Sequence, residues 1–348
     1  MIAISAADAV SPAIQRTRAF LFRPFQLGTY LKLCLVALIT EGFGANFQFS
    51  SPGGHVSNHG ANVFPPVAFT PGFIAMVVAT SVALMLLGCV LYYLITRLRF
   101  AYFHCLIHNT KEIGPGWHLY RAPATRFFWL NLLVGICFLL LAAAVAAPFV
   151  TGFWRLMRDT PAGGHPNIGS IFALVLPLIP IIFLMVFAGI AADLILRDLM
   201  LPHFALENAT TGAAWSAVRS RIGAEKGAFF VYALLRIVLP IVAMIGLFLV
   251  LIIPGLIFIA AIAAVEVGIH VAFSDATSGT AVIGMSLQVL VGVVAFGAAL
   301  LAAIGLGGPL STAIRQYALL FYGSRYQPLG DILSPPPPNA GLNTPGIV

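Results

Sequence analysis

Asp193, Arg197, Arg236, Glu266 and His270 are ionisable residues that lie inside or beside long apolar runs of the chain. Charge is costly in hydrocarbon, so such residues pair, snorkel to the interface or line a polar path. Asp193 and Arg197 are four positions apart, which puts them on one helix face within reach of each other. Glu266 and His270 share that spacing, and Arg236 stands two turns into an apolar run. Together the five define a candidate polar path for a small molecule or a lipid. His104 and His108 are also four apart, a spacing that zinc accepts, but no Glu follows the first of them. Two hydrated or interfacial histidines are expected there, and no metal.

Catalysis needs a constellation, and the familiar ones are missing from the sequence. It has no Gly-rich phosphate loop with Lys, no His-Glu-x-x-His, no Gly-x-Ser-x-Gly and no Gly-x-Gly-Asp. The carboxylates near apolar runs, Glu41, Asp193, Asp198 and Glu266, share no recognisable motif. The expectation is no catalytic residue and no cofactor.

The elements that must position these groups follow from composition. Sixty per cent of the residues are hydrophobic and only 8% are charged. A soluble domain needs roughly a quarter of its residues charged, so most of this surface must face lipid. The net charge of +7 comes from basic residues flanking apolar runs. That pattern signals topology and contact with anionic lipid rather than nucleic acid. Cys34, Cys89, Cys105 and Cys137 lie in or beside apolar runs with no Cys-x-x-Cys spacing, and read as small buried hydrophobes.

Residues 193–240 read as the end of one membrane helix, a surface helix, and the start of the next. Thr211 is a candidate cap and Gly223 a candidate stop. Between them Trp215, Val218 and Ile222 fall on one face, flanked by Arg219 and Arg221. Trp on an apolar face with Arg beside it suits the headgroup boundary, so these five form the expected interfacial anchor.

Residues 198–236 resemble the core of a broad group of uncharacterised bacterial multi-pass proteins. That group includes the membrane domain found beside some glycerophosphodiester phosphodiesterases. The likeness rests on Pro202, Glu207, Ala214, Val218 and Arg219, and Gly227, with Glu207-Asn208 where the group has Glu-Gly. Residues 21–39 and 315–330 resemble the ends of the same group. The resemblance implies a multi-pass helical architecture and no activity, since a phosphodiesterase barrel needs about 250 residues that these loops do not supply.

The expected fold is an all-α polytopic transmembrane helix bundle with amphipathic interfacial helices. Its six spans cover roughly 27–43, 72–95, 127–150, 168–194, 229–253 and 281–304. A seventh crossing at 254–273 is the alternative. An interfacial amphipathic segment, 1–26, precedes the integral domain, 27–322, and a Pro-rich disordered tail, 323–348, follows it. Residues 44–72 lack Lys, Arg, Asp and Glu altogether and read as an exposed irregular loop carrying His55 and His59. The N-terminus, 96–126 and 193–226 hold twelve Lys and Arg, against two in 44–72 and 151–167. The positive-inside rule then places the N-terminus on the cytoplasmic side of a cell membrane.

Two kinds of function fit this frame better than an intramembrane enzyme. One is a non-catalytic module that anchors, senses or scaffolds at the inner face, meeting anionic lipid or a protein partner. The other is a transporter of a small molecule or lipid, with Asp193, Arg236, Glu266 and His270 converging on a polar cavity.

Overall fold

Long uninterrupted apolar runs with few breakers make helices, and in lipid a helix satisfies its own backbone. The computed structural model describes residues 4–42, 71–159, 168–274 and 278–333. Among these the chain is helical, with no strand. The expected loop at 44–72 with its two histidines lies almost wholly outside the described residues, as does 334–348.

In order, α1 is Val10–Phe22, α2 is Leu27–Ala37, which runs on through a π-helical turn Leu38–Gly42, and α3 is Pro71–His108. A short α4, Gly114–Leu119, leads into α5, Arg121–Asp159. The next span is broken at Pro177 into α6, Ile168–Val175, and α7, Leu178–Leu194. A second π-helical turn, Ile195–Met200, then joins α7 to α8, Leu201–Leu206. The chain continues as α9, Thr211–Ala224, α10, Lys226–Ala272, α11, Ser278–Gly323, and α12, Gln327–Leu333.

Five segments are long and apolar enough to cross a membrane: Ala75–His108, Arg121–Arg158, Gly169–Leu206, Lys226–Ala272 and Val282–Gly323. The expected first span is the shorter α2 with its π turn. At 1.5 Å per residue its sixteen residues reach about 24 Å, less than a ~30 Å hydrocarbon core. The expected separate segment at 254–273 is a continuation of α10, which passes Pro254 without a break. At 47 residues α10 is about 70 Å long, over twice the hydrocarbon thickness.

Burial divides the molecule into two parts. At one end Phe100 and Phe103 of α3, Phe127 of α5, Phe204 of α8, Tyr232 of α10 and Phe321 of α11 are fully buried in one core. Their rings lock edge to face or stacked: Phe127 meets Phe100 and Phe204 at 5.5 Å, and Tyr232 stacks on Phe321 at 4.3 Å. Such pairs add about 0.5–1.5 kcal/mol each beyond their buried area. Away from this base the helices turn large apolar side chains outward, with Phe183 73% exposed. In water that surface would be untenable; in lipid it is the natural one.

The base is closed by both ends of the chain. Ala13, Thr17, Phe20 and Leu21 of α1 are buried, and α1 packs along α11, while Ile14 and Phe25 stay exposed. Residues 323–333, read from sequence as the start of a disordered tail, instead carry α12. Tyr326 and Leu329 are buried there because they plug the core beside Tyr322. Helices α2 and α11 pack so closely that a Cβ at Gly308 would fall on the backbone of Cys34. Of the cysteines, Cys34 and Cys105 are buried as expected, whereas Cys137 faces outward on the apolar part of α5.

Candidate functional site

Asp193, Arg197 and Asp198 come from the junction of α7 with its π-helical turn. In a regular helix successive residues point about 100° apart, so Arg197 and Asp198 would face different neighbours. The wider turn at Ile195–Met200 brings both inward, and all residues from Leu196 to Met200 are buried. Arg197 donates Nη1 to Asp193 Oδ2 at 3.0 Å, so the i,i+4 pair read from the sequence forms. Its Nη2 donates to the Thr40 carbonyl at 2.7 Å and to Glu41 Oε2 at 3.2 Å. Arg99 of α3 donates Nε to the same Thr40 carbonyl at 3.0 Å.

Asp198 is the centre of the cluster. Its Oδ2 accepts from Tyr232 Oη and Arg236 Nε, both at 2.8 Å, and its Oδ1 accepts from Arg315 Nη1 at 2.7 Å. Glu41 completes the ring, with Arg236 Nη2 at 3.6 Å and Arg315 Nε at 3.7 Å. Three carboxylates and four guanidinium groups are thus tied together by α2, α3, the α7–α8 junction, α10 and α11. Arginine suits this because its rigid planar fork reaches several acceptors at once, where a lysine ammonium is a point charge.

Burying such charges costs several kcal/mol per ion, offset only when geometry is good and the remaining donors find partners. Asp198, 1% exposed, meets that condition with three donors. Arg197 meets it less fully: its Nε is buried without a partner.

Beside the cluster a cleft of about 430 Å³ opens between α7 and α10. Its floor is Glu41, Asp193, Arg197, Asp198 and Arg236; its walls are Val186, Gly189, Ile190, Leu194, Ile237, Pro240 and Ile241. Of the expected polar path, Asp193, Arg197 and Arg236 therefore come together. Glu266 and His270 do not join them. They lie thirty or more residues further along the same helix, about 45 Å away at 1.5 Å per residue, with His270 exposed. The continuity of α10 separates them.

The expected interfacial anchor also divides. Val218 and Ala214 of α9 are fully buried in the base and Ile222 packs against it, so this face turns to protein. Trp215, 46% exposed, and Arg219 point outward. The cap is Thr210, one residue before the expected Thr211, accepting from the Ala213 amide at 3.4 Å. The helix runs through Gly223 to Ala224. Arg221 turns inward, placing Nη1 3.2 Å from His203 Nε2. A guanidinium only donates, so His203 Nε2 is an acceptor there and Nδ1–H donates to Glu207 at 3.0 Å. Burial pushes the Glu207 carboxyl up, but the His203 hydrogen bond and the Arg221 charge outweigh it and hold it below the ordinary carboxylate range. Asn208 follows with φ of 50°, the left-handed region that favours glycine and tolerates Asn.

Among the described residues no group of three or more His, Cys, Asp or Glu could hold a metal ion. His104 and His108 sit with ring centroids 4.5 Å apart, and His104 Nδ1 lies 3.5 Å from Tyr120 Oη.

Sequence reasoning missed Glu41, Asp198, Arg315, Arg99 and Tyr232 as members of one site. Glu41 reads as a snorkelling helix end. The usable signal was three charges within six residues of an otherwise apolar stretch, 193–198, which demands partners from other spans.

A family model, described as a family of unknown function (DUF7544), matches residues 4–332, nearly the whole chain. The chain belongs to the DUF7544 family. No curated protein and no solved structure matches it. The matched range of the DUF7544 chain runs from before α1 into the last turn of α12, so it takes in the elements that close the base and build the ionic cluster.

Proposed function

We propose that this DUF7544 protein is a non-catalytic membrane module that anchors, senses or scaffolds at the inner face of the cytoplasmic membrane. The observation that carries this is the neutralisation of Asp198. Tyr232, Arg236 and Arg315 engage three of the roughly four lone-pair sites of its carboxylate, and the two guanidinium charges make it a poor base for a substrate proton. Glu41 and Asp193 are likewise held by arginine. The separation of Glu266 and His270 from the cluster argues against the transporter reading, in which all the charges line one path.

The orientation rests on where the basic residues gather. Arg16, Arg97, Lys111, Arg126, Arg221 and Arg325 all bond within the base, the end that would face the cytoplasm by the positive-inside rule.

The test is phosphorus NMR of the purified full chain in proteoliposomes of mixed phospholipid with added glycerophosphodiester. The spectrum should stay unchanged over hours. Growth of a phosphomonoester signal would overturn the non-catalytic reading.

A further inference from the structure

We propose that the cleft between α7 and α10 holds one anionic phospholipid, with its phosphate on Arg236. This names the ligand of the module proposed above and rests on that reading.

Three features of the cleft point to an amphiphile. It joins a charged floor to apolar walls, so a ligand that fills it must carry both kinds of surface. Its volume of about 430 Å³ lies in the ordinary range of small-molecule sites and suits a headgroup with the first part of its chains. It is also reachable: Asp193 at its mouth keeps 42% of its side chain accessible, while Arg197 behind it keeps 4%. The apolar surfaces of α7 and α10 on either side are those that face lipid, with Phe183 and Ile241 both exposed.

The sign of the headgroup follows from charge and donors. Across the whole cluster Arg99, Arg197, Arg236 and Arg315 outnumber Glu41, Asp193 and Asp198 by one; the floor itself shows Arg197 and Arg236 beside the three carboxylates, with Arg99 and Arg315 behind it. Arginine brings five donors each, more than the carboxylates accept, and the Arg197 Nε is buried without a partner. Arg236 is the most accessible of the three guanidinium groups bonded to Asp198 or Glu41. Its Nε is spent on Asp198 and its Nη2 stands 3.6 Å from Glu41, an ion pair longer than a hydrogen bond, so the Nη1–Nη2 edge is the one a phosphate would take bidentately. Asp193 at the mouth does not reverse this, because Arg197 neutralises it at 3.0 Å. Free phosphate would satisfy the floor but leave the apolar walls uncovered, which is why a lipid is the better occupant.

Gly189 supplies a test that leaves every charge in place. A Cβ built there meets nothing within 4 Å, and the residue lines the cleft, so the Gly189→Leu side chain fills the space a lipid would occupy. Leucine is also the better helix former, so the fold is kept. The full chain is placed in nanodiscs of phosphatidylcholine with or without phosphatidylglycerol, then released for native mass spectrometry and thermal melting. Wild type should retain one phosphatidylglycerol and melt higher in its presence. Gly189→Leu should retain at least about tenfold less, a loss of about 1.4 kcal/mol of binding, with an unchanged melting temperature in phosphatidylcholine alone. Equal retention by Gly189→Leu, or no retained lipid in wild type, would overturn the site and leave the non-catalytic reading standing. Inorganic phosphate that reproduces the whole thermal shift would overturn the lipid in favour of a free anion. Lipid that is retained but comes off hydrolysed would overturn the non-catalytic reading and leave the site standing.

Discussion

Arg197 and Glu41 stand 156 positions apart in the chain, yet Nη2 and Oε2 meet at 3.2 Å with both side chains buried. The contact ties the end of α2 to the end of α7 through a π-helical turn on each side. Arg236 and Arg315 extend the tie to the two longest helices.

Asp198→Asn should destabilise the fold by about 3–5 kcal/mol. The change leaves the guanidinium groups of Arg236 and Arg315 facing a neutral amide in a buried site. Glu266→Gln, far along α10, should change stability by less than about 0.5 kcal/mol. Denaturant melting in one detergent, read by tryptophan fluorescence, separates the two. Equal effects would mean that the cluster does not hold the helices together.

Val218→Glu and Trp215→Glu lie on one short helix and should behave oppositely. Val218 is fully buried, so a carboxylate there finds no water and the protein should fail to accumulate folded. Trp215 is half exposed, so its variant should fold and lose at most about 1 kcal/mol. Size-exclusion profiles after expression distinguish them, and a monodisperse Val218→Glu would mean that α9 does not pack into the base.

Gly308→Ala and Gly305→Ala are chemically identical changes one turn apart. At Gly308 the methyl meets the Cys34 backbone, which cannot move aside cheaply, so a loss of about 1–3 kcal/mol is expected. At Gly305 nothing lies within 4 Å, and alanine should be neutral or slightly stabilising through helix propensity. Paired thermal melts check this; a neutral Gly308→Ala would place α2 further from α11.

The class of fold was legible because composition and long apolar runs act locally: each span satisfies its backbone wherever its neighbours lie. The pairing of Asp193 with Arg197 was legible for the same reason, being one helical turn long. What escaped was everything decided between helices. Glu41 has the same local signature whether it snorkels or closes an ionic ring, and only the positions of Arg236 and Arg315 distinguish the two. Val218 likewise sits on an apolar face whether that face meets lipid or protein. The buried α12 was masked by its neighbourhood, because the run of prolines that follows it dominates the composition of the last twenty-six residues. The length of α10 was hidden by Pro254, which reads as a boundary and lies within one helix.

The ionic ring also constrains how the protein is made. Glu41 leaves the ribosome with the first apolar segment, long before Arg197 exists, and Arg315 is synthesised 274 residues after it. Until then each carboxylate in the growing chain is either solvated or only partly neutralised. No fragment that stops before α11 can bury Asp198 with all its donors. Closure of the ring is therefore an event of late synthesis, completed when the last long helix delivers its arginine to an acid made near the beginning.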